Sequence, residues 1–201
     1  MAENRIPPTD QPSLELGCGT GLTGLVAFLY GFKNITLTDY HPAVLSNVQH
    51  NIHLNHLPKN SVQVAKLDWR NFDLDSIKND DDQLINDHNE RSEFFEILPH
   101  QNLTYHTIFA ADSLYDPSHA ILVPLVVNKL LKRNSHSRFY TVQPLRRAWS
   151  IEITSFIQNM EKNGFMIVEE EDIIEDGGDD GNRYRWWIWK RKEIKYNSNL
   201  I

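Results

Sequence analysis

The sequence predicts an α/β protein built on a mostly parallel sheet with helices on both faces. Three observations lead there: short apolar or β-branched runs recur along the chain, segments of helical spacing separate them, and a Gly-rich turn joins the first run to the first such segment. The runs that read as strands are Ser13–Leu16, 34–38, 62–67, Thr107–Ala111, 138–142, 165–169 and 184–189. Helical spacing falls at Leu22–Tyr30, Pro42–Leu54, 121–132 and, after the fifth run, 149–163. Gly31 and Gly164 stand where two of these helices must stop. The last two runs are separated by the Gly- and Asp-rich residues 176–181 and by no helix, so they should pair as an antiparallel hairpin.

At 201 residues and 40% hydrophobic content the chain can bury one sizeable core, and one domain is expected over 13–192, flanked by a short extension, 1–12, and a tail, 193–201. Residues 73–101 depart from the pattern. They are rich in Asp, Asn and Glu, including Asp80, Asp81 and Asp82, and are expected to form a solvated, mobile acidic insertion. A formal charge of -7 and a pI near 5.7 argue against direct nucleic-acid binding, which needs clustered Lys and Arg, and favour a protein or small-molecule substrate. With Cys18 as the one cysteine, neither an intramolecular disulfide nor a cysteine-rich metal site can form, and no metal is expected. No apolar run is long enough to span a bilayer, and the first 13 residues carry no signal-peptide pattern. A cytoplasmic monomer without membrane association is the expectation.

Glu15-Leu16-Gly17-Cys18-Gly19-Thr20-Gly21 follows the first strand and opens the first helix. Glycines there permit positive φ and let a ligand approach bare backbone at a helix N-terminus. Gly19, Gly21 and Gly24 also have dinucleotide-fingerprint spacing, so a nicotinamide or flavin enzyme competes with a methyl-donor enzyme. Glu15, two residues before Gly17, suits a cationic amino-acid cofactor better than an anionic pyrophosphate. Asp39 ends the second strand, where its carboxylate can accept both ribose hydroxyls in either class of enzyme. Asp68 and Trp69 end the third, where an acid can accept from an adenine amine and an indole can stack on its ring. All three acids fall at the carboxyl edge of the sheet, where open α/β folds bind ligands, and together they favour S-adenosylmethionine. Cys18 sits where a small residue is needed and has no His partner in a supporting motif, so it reads as packing rather than a nucleophile.

After the fourth strand, Ala111-Asp112-Ser113-Leu114-Tyr115-Asp116-Pro117 breaks into polar residues, and Pro117 prevents a regular continuation. Asp112 and Tyr115 would lie at the ligand edge. On the residues alone, a helix cap and a core aromatic compete equally with catalytic roles.

Together, residues 14–22, Thr38-Asp39, Asn47-Val48-Gln49-His50-Asn51, Leu67-Asp68-Trp69 and Ala111-Asp112-Ser113-Leu114-Tyr115 resemble the seven-β-strand protein-lysine methyltransferases of methyltransferase family 16. The resemblance runs from about Ser13 to Lys192. It implies a Rossmann-like seven-stranded sheet of order 3-2-1-4-5-7-6 with the last strand antiparallel, S-adenosylmethionine as cofactor, and a substrate lysine served by Asp112 and Tyr115. The cofactor-binding set becomes Glu15, Gly17, Cys18, Gly19, Thr20, Gly21, Asp39, Tyr40, Asp68, Trp69 and Ala111. Residues 141–147 and 183–187 look most like the fungal elongation-factor-2 lysine methyltransferases, which implies a translation elongation factor as protein partner. One departure stands out: the resemblance implies a substantial N-terminal segment with a Trp over the cofactor, whereas 12 residues precede Ser13 and none is Trp. A small-molecule or RNA methyltransferase, or a shortened relative acting as an interaction protein, remain the alternatives.

Overall fold

The computed structural model describes residues 6–58, 60–73, 93–146, 150–174 and 183–193. In chain order its strands are β1 (Ser13–Leu16), β2 (Ile35–Asp39), β3 (Val62–Lys66), β4 (Phe95–Glu96), β5 (Thr107–Ala111), β6 (Arg138–Pro144), β7 (Phe165–Ile174) and β8 (Arg183–Arg191). The helices are α1 (Leu22–Tyr30), α2 (Pro42–Leu54), α3 (His119–Leu130) and α4 (Ser150–Lys162), with a 3-10 turn at Trp69–Phe72. One sheet holds all eight strands in the order β4-β3-β2-β1-β5-β6-β8-β7. The pairs from β4 to β6 are parallel, and β8 is antiparallel to both β6 and β7.

The expected seven strands become eight because β4 pairs with β3 at the sheet edge; without it the order is the expected one. Fully buried Ile97 donates its N–H to the Lys66 carbonyl at 2.9 Å, and the Lys66 ammonium pairs with Glu96 at 3.3 Å. The described end of the acidic stretch, 93–101, is therefore packed onto the sheet; residues 74–92 lie outside the described residues, as do 175–182 and 194–201. The third helix runs 119–130 rather than 121–132, and β7 continues to Ile174 beyond a register shift between Ile167 and Glu169.

Strand alternation sorts side chains onto two faces. Leu14, Leu16, Ile108 and Ala110 meet α3 and α4 through residues such as Val123, Val127, Phe156 and Met160. Ile35, Leu37 and Phe109 face the other way, toward Ala27 of α1 and Val48 and Ile52 of α2. Local chemistry fixes the ends: Gly31 takes φ 120° and closes α1, with the Phe32 N–H on the Ala27 carbonyl at 3.1 Å. Pro42 opens α2 behind His41, whose ring accepts the Ala43 N–H at 3.2 Å. Pro124, inside α3, leaves the Ala120 carbonyl without its helical donor, and Asn159 of α4 supplies one at 3.0 Å. Because the chain leaves β1 toward β2 on one side and β5 lies on the other, the sheet has its switch point at β1 and β5, and a crevice opens at their carboxyl ends. No helix among the described residues is long and apolar enough to cross a membrane.

Candidate active site

The turn after β1 is made by three glycines in the left-handed region, Gly17, Gly19 and Gly21, at φ 61°, 53° and 82°. Its backbone is pinned by the Cys18 N–H on the Thr38 carbonyl at 2.8 Å and the Gly21 N–H on the Cys18 carbonyl at 2.7 Å. Thr20 gives its carbonyl to the Asn51 amide at 2.9 Å. A Cβ on Gly17 would meet the Trp69 ring at 3.3 Å, whereas one on Gly19 would meet nothing within 4 Å. The loop thus closes against Trp69 and stays bare at Gly19.

Glu15 alternates to the α1 side, where it is 3% exposed and accepts the Gly24 N–H at 2.9 Å. Burial pushes its carboxyl up to about 7, against the opposing pull of the Gly24 N–H and the Thr23 hydroxyl. Cys18 is buried too; burial first, then the charges of Glu15 and Asp39, hold its thiol protonated. Both side chains shape the loop from behind.

In front of the loop lies a cleft of about 290 Å³ lined by Gly17, Asp39, Tyr40, Asp68, Trp69 and Tyr115 from the sequence-predicted set. Leu67, Arg70, Asp116, Ser118, His119 and Leu122 complete the lining. Asp39 accepts the His41 N–H on Oδ1 at 3.0 Å, and its Oδ2 has no hydrogen bond among the described residues. Asp68 is committed nearby: it caps the 3-10 turn by accepting the Arg70 N–H at 3.0 Å and holds the Arg70 guanidinium through Nε at 2.9 Å. Burial would raise its carboxyl, but the Arg70 hydrogen bonds and charge outweigh it and keep the group below the usual carboxylate range. Arg70 in turn lies 5.8 Å from the Tyr40 ring centroid.

His119, which no motif had singled out, is the hub of the other wall. Its ring meets Trp69 edge-on at 5.0 Å and Tyr115 at 4.7 Å, while Nδ1 lies 2.8 Å from the Ser113 carbonyl. That contact makes Nδ1 the protonated nitrogen, since a carbonyl can only accept. Burial, then Asp39, Tyr40, Asp112 and Asp116, push the Tyr115 phenol above its ordinary range. Asp112 stands at the end of β5, beside the cleft rather than in its lining, with φ 46° and its carboxylate 3.1 Å from the Arg146 guanidinium. Glu15, Cys18, Gly19, Thr20, Gly21 and Ala111 likewise fall outside the lining.

The residues present fit an adenosyl cofactor in kind: a bare glycine turn, a carboxylate with an open oxygen at the end of β2, and an indole against the turn. Among the described residues no group of three or more His, Cys, Asp or Glu could hold a metal ion.

The profile of the lysine methyltransferase family matches residues 8–88. The protein-lysine N-methyltransferase rrg1 of Schizosaccharomyces pombe is 31% identical over 186 residues, 89% of this chain and 54% of that protein. EEF1A lysine methyltransferase 3 of Mus musculus is 41% identical over 56 residues, 28% of this chain and 23% of that protein. Among solved structures, magnesium protoporphyrin IX methyltransferase (ChlM) of Synechocystis PCC 6803 with bound SAM superposes at TM-score 0.58 and 14% identity, over 93% of this chain and 73% of that one. At that identity the likeness is one of fold. The matches span about half or less of the length of the curated relatives, from 33% to 54% for three of them. Residues 8–88 are thus similar to the lysine methyltransferase family, and the likeness to rrg1 runs along 89% of the chain.

Proposed function

We propose that the chain is a protein-lysine N-methyltransferase with S-adenosylmethionine as methyl donor. The observation that carries this reading is the adjacency of two surfaces at one sheet edge: the cleft of Gly17, Asp39 and Trp69, and the Asp112–Tyr115 turn beside it. Asp39 would hold the ribose, Trp69 would stack on the adenine, and the glycine turn would carry the amino-acid end. When bound, the cofactor's sulfonium supplies an already electrophilic methyl group, so the protein's task is alignment.

The attacking lysine must be neutral, whereas a free ammonium loses its proton near pH 10.4, at about that value in model peptides. An aromatic approach made by Tyr115 and His119 disfavours the charged form. Asp112 orients the amine by accepting a hydrogen bond, and Arg146 beside it offsets the negative charge that would otherwise hold the ammonium. The proton leaves to water. The protein substrate is a translation elongation factor, elongation factor 2 by the resemblance of residues 141–147 and 183–187; a mammalian relative is itself named for EEF1A. The chain's charge of -7 favours a basic lysine-bearing surface.

Incubation with radiolabelled S-adenosylmethionine and a cell extract, followed by gel autoradiography, tests the reading. A labelled protein band of translation-factor size supports it; label confined to RNA or small metabolites, or no label, overturns it.

A further inference from the structure

We propose that Gln143 is a positioning residue of this site, the side chain that sets the Asp112–Tyr115 turn against the cleft; the proposal rests on the methyl-transfer reading above. The turn needs such a clamp. Asp112 is a non-glycine residue at φ 46°, a conformation that persists where surrounding structure over-determines it. Its own N–H still donates to the Val142 carbonyl at 2.9 Å, the last rung between β5 and β6. Ser113 and Leu114 follow, both 3% exposed, and beyond that rung the ladder offers their N–H groups no strand carbonyl.

Gln143 takes both. Its Oε1 accepts the Ser113 N–H at 3.0 Å and the Leu114 N–H at 3.2 Å, and its Nε2 donates to the Ser113 and Thr141 hydroxyls at 3.0 Å each. An amide oxygen has two lone pairs and an amide NH2 two hydrogens, so all four are used. Turned over, the amide would aim its hydrogens at two backbone N–H donors. At 2% exposure no water competes, and the side chain has one orientation.

The clamp reaches the cleft through Ser113, whose carbonyl holds the His119 ring, which in turn packs on both Trp69 and Tyr115. Gln143 therefore fixes the turn on its buried side, while the cofactor-facing residues Gly17 and Asp39 hang on β1 and β2. Trp69, although it touches His119, is held by its own 3-10 turn, capped by Asp68, and lies against Gly17. This separation predicts a split between binding and chemistry. A misplacement of about 1 Å in a reacting geometry costs on the order of 100-fold in rate.

Two variants test it. Gln143→Met keeps the length and removes every hydrogen bond; Thr141→Val removes one partner behind the amide and leaves the turn's two acceptor bonds, a control for general loss of stability. The readouts are cofactor affinity by calorimetry, kcat and KM for protein methylation, and amide hydrogen exchange. Gln143→Met is expected to keep wild-type cofactor affinity, lose about 10- to 100-fold in kcat, and lose protection at the Ser113 and Leu114 amides while β1 and β2 keep theirs. Thr141→Val is expected to lower the melting temperature with kcat near wild type. Wild-type kcat in Gln143→Met, or loss of kcat and cofactor affinity together in proportion to melting temperature in both variants, overturns the proposal. If the wild-type chain methylates no lysine, the functional reading falls by itself, and unchanged exchange at Ser113 and Leu114 would then overturn the clamp independently.

Discussion

Glu15 carries a pH signature that can be worked out in advance. Its carboxyl is 3% exposed and is pushed by burial from an ordinary 4.5 up to about 7 in the folded chain. The folded state therefore holds this proton more tightly than the unfolded state. Stability from the group is fully present below 4.5 and is lost as pH rises through about 7. At about 1.4 kcal/mol per pH unit the loss amounts to about 3 kcal/mol, and with so little exposure no discount for solvent screening applies. Glu15→Gln removes the titration but keeps an acceptor for the Gly24 N–H. Urea unfolding of both proteins from pH 4 to pH 8 isolates the effect, since every other titration cancels in the difference. The variant should match wild type near pH 4 and exceed it by about 3 kcal/mol at pH 8. A difference that stays constant across the range would refute the burial argument and place the carboxylate in contact with water.

Three shorter predictions follow from the same geometry. Asp39→Ala should weaken S-adenosylmethionine binding by about 2 to 4 kcal/mol, the value of charge-assisted bonds to two hydroxyls; calorimetry decides, and an unchanged affinity removes Asp39 from the site. Trp69→Ala should cost about 1 to 3 kcal/mol of cofactor binding with the fold retained, so a variant that unfolds instead would make Trp69 a core residue. Gly24→Ala would put a Cβ 1.9 Å from the Leu37 side chain and 2.7 Å from the Glu15 carboxylate. Overpacking of this kind costs about 1 to 3 kcal/mol, and a wild-type melting temperature would contradict it.

Much of the fold was legible because two local signals agreed. Leu22–Tyr30 and Pro42–Leu54 have the expected bounds, set by the left-handed Gly31 and by Pro42 at a helix start, and the central strands alternate as their apolar residues do. β4 was not legible, since two residues have no period; only pairing with β3 makes them a strand. The outer half of β7 hid for a different reason. Its Glu-rich sequence has no buried face of its own and is paired across to β8, with Asp172 holding Arg183 and Arg185. In the site, Asp39, Trp69 and Tyr115 reach the cleft because strand ends bring them there. Glu15 does not, and alternation between Leu14 and Leu16 is the reason: its neighbours face α3, so it faces α1. Asp68 is taken by Arg70 two residues on, a local cap that the spacing contained. His119 escaped because its partners, Trp69 and the Ser113 carbonyl, come together only when α3 docks beside β5.

The most direct test of the central claim is lysine methylation measured by peptide mass spectrometry with Asp112 altered and cofactor affinity followed in parallel. Asp112 stands beside the cleft and off its lining, so Asp112→Ala should bind S-adenosylmethionine as wild type does yet lose most transfer. Asp112→Asn, which keeps an acceptor without the charge, should retain substantial transfer if the residue orients the amine. Full lysine methylation in both variants, or cofactor affinity lost along with activity, would contradict the account.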